Sequence, residues 1–270
     1  MTDKFQPVNR TAAGSWFEAA RNLLETIGET QSQSVEAASG LCADAIAGGG
    51  LVHLFGTGHS RIPVEEMFPR YGSYPGFNPM VELSMTYHTE VVGSNGQRQA
   101  MFIERTEGLA EVILSNFELR PTDVMMVFSA NGLTAVPIEI AAGARTRGLP
   151  VVVVTSRRQS LAGEPQHSSG TRLLDHADVV LDLCTPAADA LTTLEGVRTP
   201  VGPGSTLAAV ALVNAVKVRT AELLAERDSL PPVITSPAVV GSDESRRLFD
   251  AAYEEHARRV TRVLRGTGVV

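Results

Sequence analysis

Short, mostly apolar runs separated by helical patterns limit the fold of this chain more than any other feature. Each run has five or six residues and little polar–apolar alternation, which is typical of a strand buried on both faces of a parallel sheet. The runs are Leu51–Phe55, Val124–Phe128, Pro150–Thr155 and Val179–Leu183. Val81–Leu83 is the candidate for a fifth strand.

The segments around these runs carry the 3.6-residue periodicity of helices. Helices are predicted over residues 15–47, about 98–118, 134–147, the short 170–177, 205–227 and about 242–264. Strands that alternate with helices imply right-handed βαβ crossovers and a doubly wound α/β fold. We expect an N-terminal tail over residues 1–14, one domain over 15–228, and a linker with a C-terminal helix over 229–270.

Composition and charge exclude several classes of function. A net charge of −7 argues against nucleic acid or an anionic membrane as a partner. No apolar run approaches the ~20 residues of a membrane span, and the N-terminus lacks a signal-peptide core, so we expect a cytoplasmic protein. Cys42, Cys184 and the six histidines show no metal-ligand spacing, so no metal and no cofactor are predicted.

The sequence SANGLT at 129–134 stands between the second run and a predicted helix. Ser129, Asn131 and Thr134 offer side-chain donors there, and Gly132 lets the backbone approach a ligand closely. The N-terminus of the helix adds free N–H groups and a partial positive charge. This combination predicts a phosphate-binding loop without a lysine, although an ordinary helix cap would use the same residue types.

A second loop of the same character, GTGHS at 56–60, follows the first run. Thr57, Gly58 and Ser60 are predicted to contribute to phosphate binding. His59 is a candidate proton donor near neutral pH, and the alternative is a hydrogen bond that stabilises the loop. Arg61 stands where a dinucleotide-binding fingerprint needs its third glycine, which disfavours a nicotinamide cofactor.

Polar residues also follow the last run. Asp189, Glu195 and the sequence GPGST at 202–206 come after it, and the long apolar helix begins at Ser205. Ligands of doubly wound folds bind at the carboxyl ends of the strands. We therefore expect Ser205 and Thr206 to close the binding pocket from the N-terminus of this helix.

Residues 15–225 resemble the SIS (sugar isomerase) family of phosphosugar-binding domains. The motifs that carry the resemblance are GTGHS at 56–60, EEMFPRY at 65–71, SANGLT at 129–134 and VGPGSTLAAVALVNAV at 201–216. The segment 167–190 resembles the UPF0309 branch of that family. The resemblance implies a five-stranded, flavodoxin-like parallel sheet flanked by helices, with sites completed across subunits of a homodimer or homotetramer. The N-terminal helix and the C-terminal extension are expected to pack on the partner.

Two better-understood branches indicate catalytic residues. In sedoheptulose 7-phosphate isomerases the second glutamate of a Glu-Glu pair is catalytic, and Glu66 matches it. Their late-helix histidine has no counterpart between Ser205 and Arg227. In N-acetylmuramic acid 6-phosphate etherases a second glutamate lies in a run similar to IERTEG at 103–108. Glu107 matches that glutamate, and a shifted alignment would select Glu104.

The resemblance to the etherases predicts elimination from an amino-sugar 6-phosphate of the N-acetylglucosamine 6-phosphate type. Glu66 would remove the proton at C2, and Glu107 or His59 would protonate the group that leaves C3. An aldose–ketose isomerase and a phosphosugar sensor without catalytic activity are the alternatives. A sensor would bind the ligand and leave it chemically unchanged.

Overall fold

A computed structural model describes residues 11–86 and 96–264. Its centre is a five-stranded parallel sheet in the order β2-β1-β3-β4-β5. The strands are β1 Val52–Gly56, β2 Phe77–Pro79, β3 Val124–Phe128, β4 Val151–Thr155 and β5 Val179–Asp182. The order reverses between β1 and β3, as in flavodoxin-like folds. The predicted doubly wound parallel sheet, flanked by helices and with helical extensions at both ends, is confirmed.

Helices cover both faces of the sheet. They are α1 Ala12–Thr30, α2 Ser32–Ala47, α3 Ile62–Met67, α4 Gly96–Ile103, α5 Leu109–Leu114, α6 Ala135–Thr146, α7 Arg157–Ala162, α8 Ser205–Ala225, α9 Pro237–Val240 and α10 Ser242–Val260. The helices predicted at 134–147 and 205–227 are α6 and α8. No helix within the described ranges combines the length and the apolar character needed to cross a membrane.

Two apolar cores lie on opposite faces of the sheet, because neighbouring side chains of a strand point to opposite sides. In β3, Met126 packs with α1, α2, α3 and α8, whereas Met125 and Val127 pack with α5 and α6. Every residue of β1, β3 and β4 is buried. Burial on both faces explains why these strands appear in the sequence as continuous apolar runs.

The fifth strand is not the predicted segment Val81–Leu83. It is β2, Phe77–Pro79, which pairs only with β1, and Leu83–Met85 forms a turn of 3₁₀ helix. A strand at the edge of a sheet tolerates a proline because one of its sides makes no ladder hydrogen bonds. Three residues with a proline and an asparagine carry too little apolar signal to be recognised as a strand.

Two predicted helices are each divided in two. The helix expected over 15–47 is interrupted at Gln31, whose Oε1 accepts a hydrogen bond from the amide of Asp182 at 2.9 Å. The helix expected over 98–118 breaks between α4 and α5, where Gly108 has a φ of +86°. At the second break, the Gly108 amide donates to the carboxylate of Glu139 in α6. Each break therefore involves a hydrogen bond to a residue distant in sequence.

Smaller differences between the predicted and the observed elements lie in the C-terminal part of the chain. The predicted helix at 170–177 is a 3₁₀ turn at Leu173–His176, and the final helix ends at Val260 rather than at Leu264. An antiparallel pair, β6 Ala190–Thr192 and β7 Val201–Pro203, was not predicted. It connects β5 to α8.

Arg259 fastens the C-terminal helix α10 to the domain. Its guanidinium, which is 6% exposed, donates to the carbonyl oxygens of Ile46 at 2.9 Å and Gly50 at 2.7 Å. It also pairs with Glu255 at 2.7 Å. These carbonyl groups end α2 and precede β1, so one buried side chain ties both positions to α10. The Ile46 carbonyl also accepts from the Gly49 amide at 3.1 Å.

We expect Arg259→Leu to lower the free energy of unfolding by about 2–4 kcal/mol, because it removes buried hydrogen bonds from a charged group to two carbonyl oxygens. Arg258→Leu is the matched control. Arg258 pairs with the same Glu255, but its side chain is 52% exposed, and its loss should cost less than about 1 kcal/mol. Urea unfolding of both variants measures the difference, and equal losses would contradict this role of Arg259.

Candidate functional site

A cavity of about 270 Å³ opens at the carboxyl ends of the strands, where the strand order reverses. Most of the residues predicted to bind or react lie on its wall. They are Thr57, His59, Ser60, Ser129, Asn131, Thr134, Ser205 and Thr206. The loops after β1 and β3 are neighbours because those strands are paired, so residues more than 70 positions apart in sequence face one space.

The loop after β1 folds back on itself within a few residues. A Cβ atom at Gly56 would lie 2.3 Å from the carbonyl oxygen of Ser60, so only glycine fits at the end of the strand. Gly58 has a φ of +53° and begins a 3₁₀ turn in which the Ser60 amide donates to the Thr57 carbonyl at 2.9 Å. Gly58 itself is not among the wall residues, and it acts by shaping the loop.

Two of the residues predicted to bind the phosphate stabilise the loop after β3. Ser129 Oγ accepts from the Gly132 amide at 3.1 Å, and Asn131 Oδ1 accepts from the Leu133 amide at 3.1 Å. The hydroxyl hydrogen of Ser129 and the amide group of Asn131 remain as donors. Gly132 has a φ of +62° and sets the backbone path of the loop without forming part of the wall.

The N-terminus of α6 meets the cavity at Thr134, the N-cap residue. The Val136 amide donates to the carbonyl of Glu104 at 3.0 Å, residue 137 is proline, and the Ile138 amide donates to the Thr134 carbonyl at 3.4 Å. Within the described ranges this leaves the Thr134 hydroxyl and the Ala135 amide without partners. The first turn of α6 has no acidic residue. This end of the helix is therefore suited to an anion.

One carboxyl group, that of Glu104, lies on the wall beside this helix end. The Thr57 hydroxyl donates to its Oε2 at 2.8 Å. Burial raises the pKa of Glu104, although the Thr57 bond and the charge of Arg105 act in the opposite direction. A carboxyl group with a raised pKa is a stronger base when it is ionised, and it holds its proton closer to neutral pH when it is not.

Glu107, the residue first matched to the etherases, does not lie on the wall. Its carboxylate accepts from the Ser168 amide at 2.6 Å and from the Ser168 hydroxyl at 2.7 Å. These bonds lower the pKa of Glu107 and keep it ionised. The shifted alignment, which selects Glu104, therefore agrees better with the cavity.

Glu66 is also absent from the wall. Its carboxylate accepts from Arg70 at 2.8 Å and from Asn214 Nδ2 at 3.2 Å, between α3 and α8. The buried ammonium group of Lys217 donates to the Glu66 carbonyl at 2.9 Å. A catalytic role of Glu66 stays a prediction that requires a site formed with a second copy of the chain.

Asp189 is the second carboxylate on the wall, and sequence reasoning noted only its position. Its two oxygens accept from the Ser205 amide at 2.9 Å and from the Ser205 hydroxyl at 2.7 Å. Ser205 begins α8, so a side chain 16 residues upstream caps that helix. No group of three or more histidine, cysteine or acidic side chains that could hold a metal ion occurs in the part of the chain that the structure describes.

The opposite pKa shifts of Glu104 and Glu107 predict opposite effects on stability. At neutral pH, Glu104→Gln should raise the melting temperature, because ionised Glu104 is disfavoured by burial. The gain should vanish as the pH falls below the ordinary glutamate value of 4.5. Glu107→Gln should lower the melting temperature at neutral pH, and that loss should fade as the pH falls through the lowered pKa. Melting curves from pH 8 down to below the lowered pKa of Glu107 test both signs and both pH dependences, and a shared sign would contradict the assignment.

Comparisons with known proteins agree with this architecture. Residues 15–156 match the model of the SIS domain family. A UPF0309 protein of Streptomyces coelicolor is 35% identical over 86% of this chain and 91% of its own length. A UPF0309 protein of Geobacillus kaustophilus is 31% identical over 89% of this chain and 93% of its own length. The structure of a phosphoheptose isomerase from Neisseria gonorrhoeae, 15% identical, shares the fold with a TM-score of 0.51 over 77% of this chain and 96% of that one. The chain belongs to the SIS domain family and is similar, over most of its length, to UPF0309 proteins.

Proposed function

We propose that this protein binds a sugar phosphate in the cavity and interconverts its aldose and ketose forms. One observation carries the proposal. The α6 N-terminus, which is suited to an anion, is joined to the carboxyl-bearing residue Glu104 by the Val136–Glu104 hydrogen bond of 3.0 Å. A phosphate held at Thr134 would place the rest of a sugar within the same cavity as that carboxyl group.

The size of the cavity supports a small ligand. Its volume of about 270 Å³ lies just below the ~300 Å³ at which pockets for small molecules usually begin. The donors available at the loops after β1 and β3 are hydroxyl groups, an amide side chain and a backbone amide. They suit the oxygens of a phosphate and of a monosaccharide better than they suit an extended apolar ligand.

The chemistry assigned to Glu104 is proton transfer. Its carboxylate would take the proton from C2 of the open-chain aldose and return it to C1. In the enediol between these two steps, the proton of the C2 hydroxyl group passes to the oxygen on C1, so that the carbonyl group moves from C1 to C2. A single base is sufficient for the transfer between the two carbons. The raised pKa of Glu104 matches the demand on a group that must both accept and release a proton.

Elimination from an amino-sugar 6-phosphate is the second candidate. Its predicted pair, Glu66 and Glu107, makes other contacts outside the cavity wall, which is why isomerisation is favoured. His59 lies on the wall and could supply the acid at C3, so it is the observation that keeps this reaction in consideration. A homodimer or homotetramer in which some residues of the site come from the neighbouring copy remains a prediction.

Thr134→Val should weaken binding of glucose 6-phosphate and of inorganic phosphate by about 10–100-fold, since hydrogen bonds to charged groups contribute roughly 1.5–3 kcal/mol. Thr146→Val is the control, because that hydroxyl lies at the opposite end of α6 and donates to the Ala142 carbonyl. Isothermal titration measures both. Undiminished phosphate affinity in Thr134→Val would remove the α6 N-terminus from the proposal.

Glu104→Gln should lower the rate of sugar-phosphate conversion by roughly 10²–10⁴-fold, the usual contribution of a positioned acid–base group. Glu107→Gln should retain most of the rate. Mass spectrometry of products from hexose and N-acetylhexosamine 6-phosphates identifies the reaction: isomerisation leaves the mass unchanged, and elimination removes water or an ether substituent. Stable binding without any product would instead support a sensor.

A further inference from the structure

Two long helices begin at the cavity, and they differ in charge at that point. The α6 N-terminus has no acidic residue in its first turn. The α8 N-terminus already has an anion, because both oxygens of Asp189 accept hydrogen bonds from Ser205. This carboxylate accepts hydrogen bonds at both oxygens and lies at the positive end of a 21-residue helix, where a negative charge is favourable.

The backbone around Asp189 fixes this carboxylate in place. Asp189 has a φ of +60°, an unusual conformation for a residue other than glycine, and its carbonyl accepts from the Gly204 amide at 2.9 Å. The next residue, Ala190, pairs with Pro203 in the β6–β7 ladder. The short ladder therefore returns the chain to Asp189 and places Ser205 against its side chain. An ordinary helix cap does not need this arrangement, since a serine or aspartate at the position of Gly204 would suffice.

The two helix ends are separated along the sheet. The loops that offer free donors follow β1 and β3, whereas Asp189 follows β5, which lies three strands from β1 in the sheet order. Both ends nevertheless form the wall of the same cavity. A ligand with its phosphate at α6 would extend its other end toward a fixed negative charge.

We propose that Asp189 makes the site selective for sugar monophosphates whose end remote from the phosphate carries only hydroxyl groups, and that it rejects sugars with a second anionic group there. This inference rests on the proposed function. Each oxygen of Asp189 accepts one hydrogen bond from Ser205 and keeps a further lone pair for a sugar hydroxyl. A carboxylate or second phosphate at the same place would meet a like charge at the wall of the cavity.

A matched pair of ligands tests the proposal. D-Glucitol 6-phosphate and 6-phosphogluconate are open chains of equal length that differ at C1, where the first carries a hydroxyl group and the second a carboxylate. The wild type should bind D-glucitol 6-phosphate more tightly than 6-phosphogluconate by about tenfold or more. Like-charge contacts in a binding site cost up to several kcal/mol, and about 1.4 kcal/mol already corresponds to a tenfold difference in affinity. Asp189→Asn, which has the same shape without the charge, should reduce the ratio to within about threefold.

Glu195→Gln is the control, because it removes the same charge from an exposed position between β6 and β7, away from the cavity wall. It should keep the wild-type ratio. Ser205→Ala should also keep the ratio, even if both affinities change, since the carboxylate remains. This variant distinguishes the charge of Asp189 from its capping of α8.

The outcomes separate the inference from the function on which it rests. Equal affinities of the wild type for the two ligands, or a ratio that Asp189→Asn leaves unchanged, would overturn the role of Asp189 while phosphosugar binding stands. If neither ligand nor inorganic phosphate binds to the wild type, the proposed function fails and the inference fails with it. If Asp189→Asn does not fold, Asp189→Gly replaces it, because glycine tolerates the positive φ at this position and removes the charge. A ratio reduced to within about threefold would support the role of Asp189, and an unchanged ratio would overturn it.

Discussion

The hydrogen bond from the Val136 amide to the Glu104 carbonyl is the contact on which the candidate site depends most. It uses one of the few N–H groups at the start of α6 to hold the segment that carries Glu104, one of the two acidic residues on the cavity wall. One turn further along α6, Glu139 accepts from the Gly108 amide at 2.9 Å. Two points on a single helix thus position the segment between α4 and α5. The end of α6 that is proposed to bind the phosphate is therefore joined by hydrogen bonds to the segment that carries the side chain proposed to move protons.

The parts of the fold that the sequence predicts are those in which local pattern and burial agree. Strands β1, β3 and β4 are buried on both faces, so their composition alone identifies them. The loops at 56–60 and 129–134 are recognisable by their glycines, which permit a close backbone approach at Gly56 and a positive φ at Gly132. Strand β2 was missed because an edge strand of three residues that contains Pro79 has no such pattern.

The features of the site that could not be predicted from the sequence are set by contacts between residues far apart in the chain. Glu104 and Glu107 are three residues apart and would share one face of an unbroken helix. The break at Gly108 and the two hydrogen bonds from Ser168, 61 residues later, turn Glu107 toward another loop and leave Glu104 at the cavity. Asp189 and Ser205 are likewise brought together only by the β6–β7 ladder. A helical pattern read along the chain contains neither interaction.

An anionic ligand in a protein with a net charge of −7 must gain its binding energy locally. The α6 end, with the Thr134 hydroxyl on the cavity wall, is the part of the site proposed to provide that local attraction. A phosphate bound there would add negative charge near Glu104, and a neighbouring negative charge raises the pKa of a carboxyl group further. Phosphate binding and protonation of Glu104 are then linked. If binding favours the protonated carboxyl group, protonation of that group favours binding to the same extent. A base that becomes stronger when the substrate arrives is suited to removing a weakly acidic C–H proton, and this is the physical reason for assigning the proton transfer to Glu104.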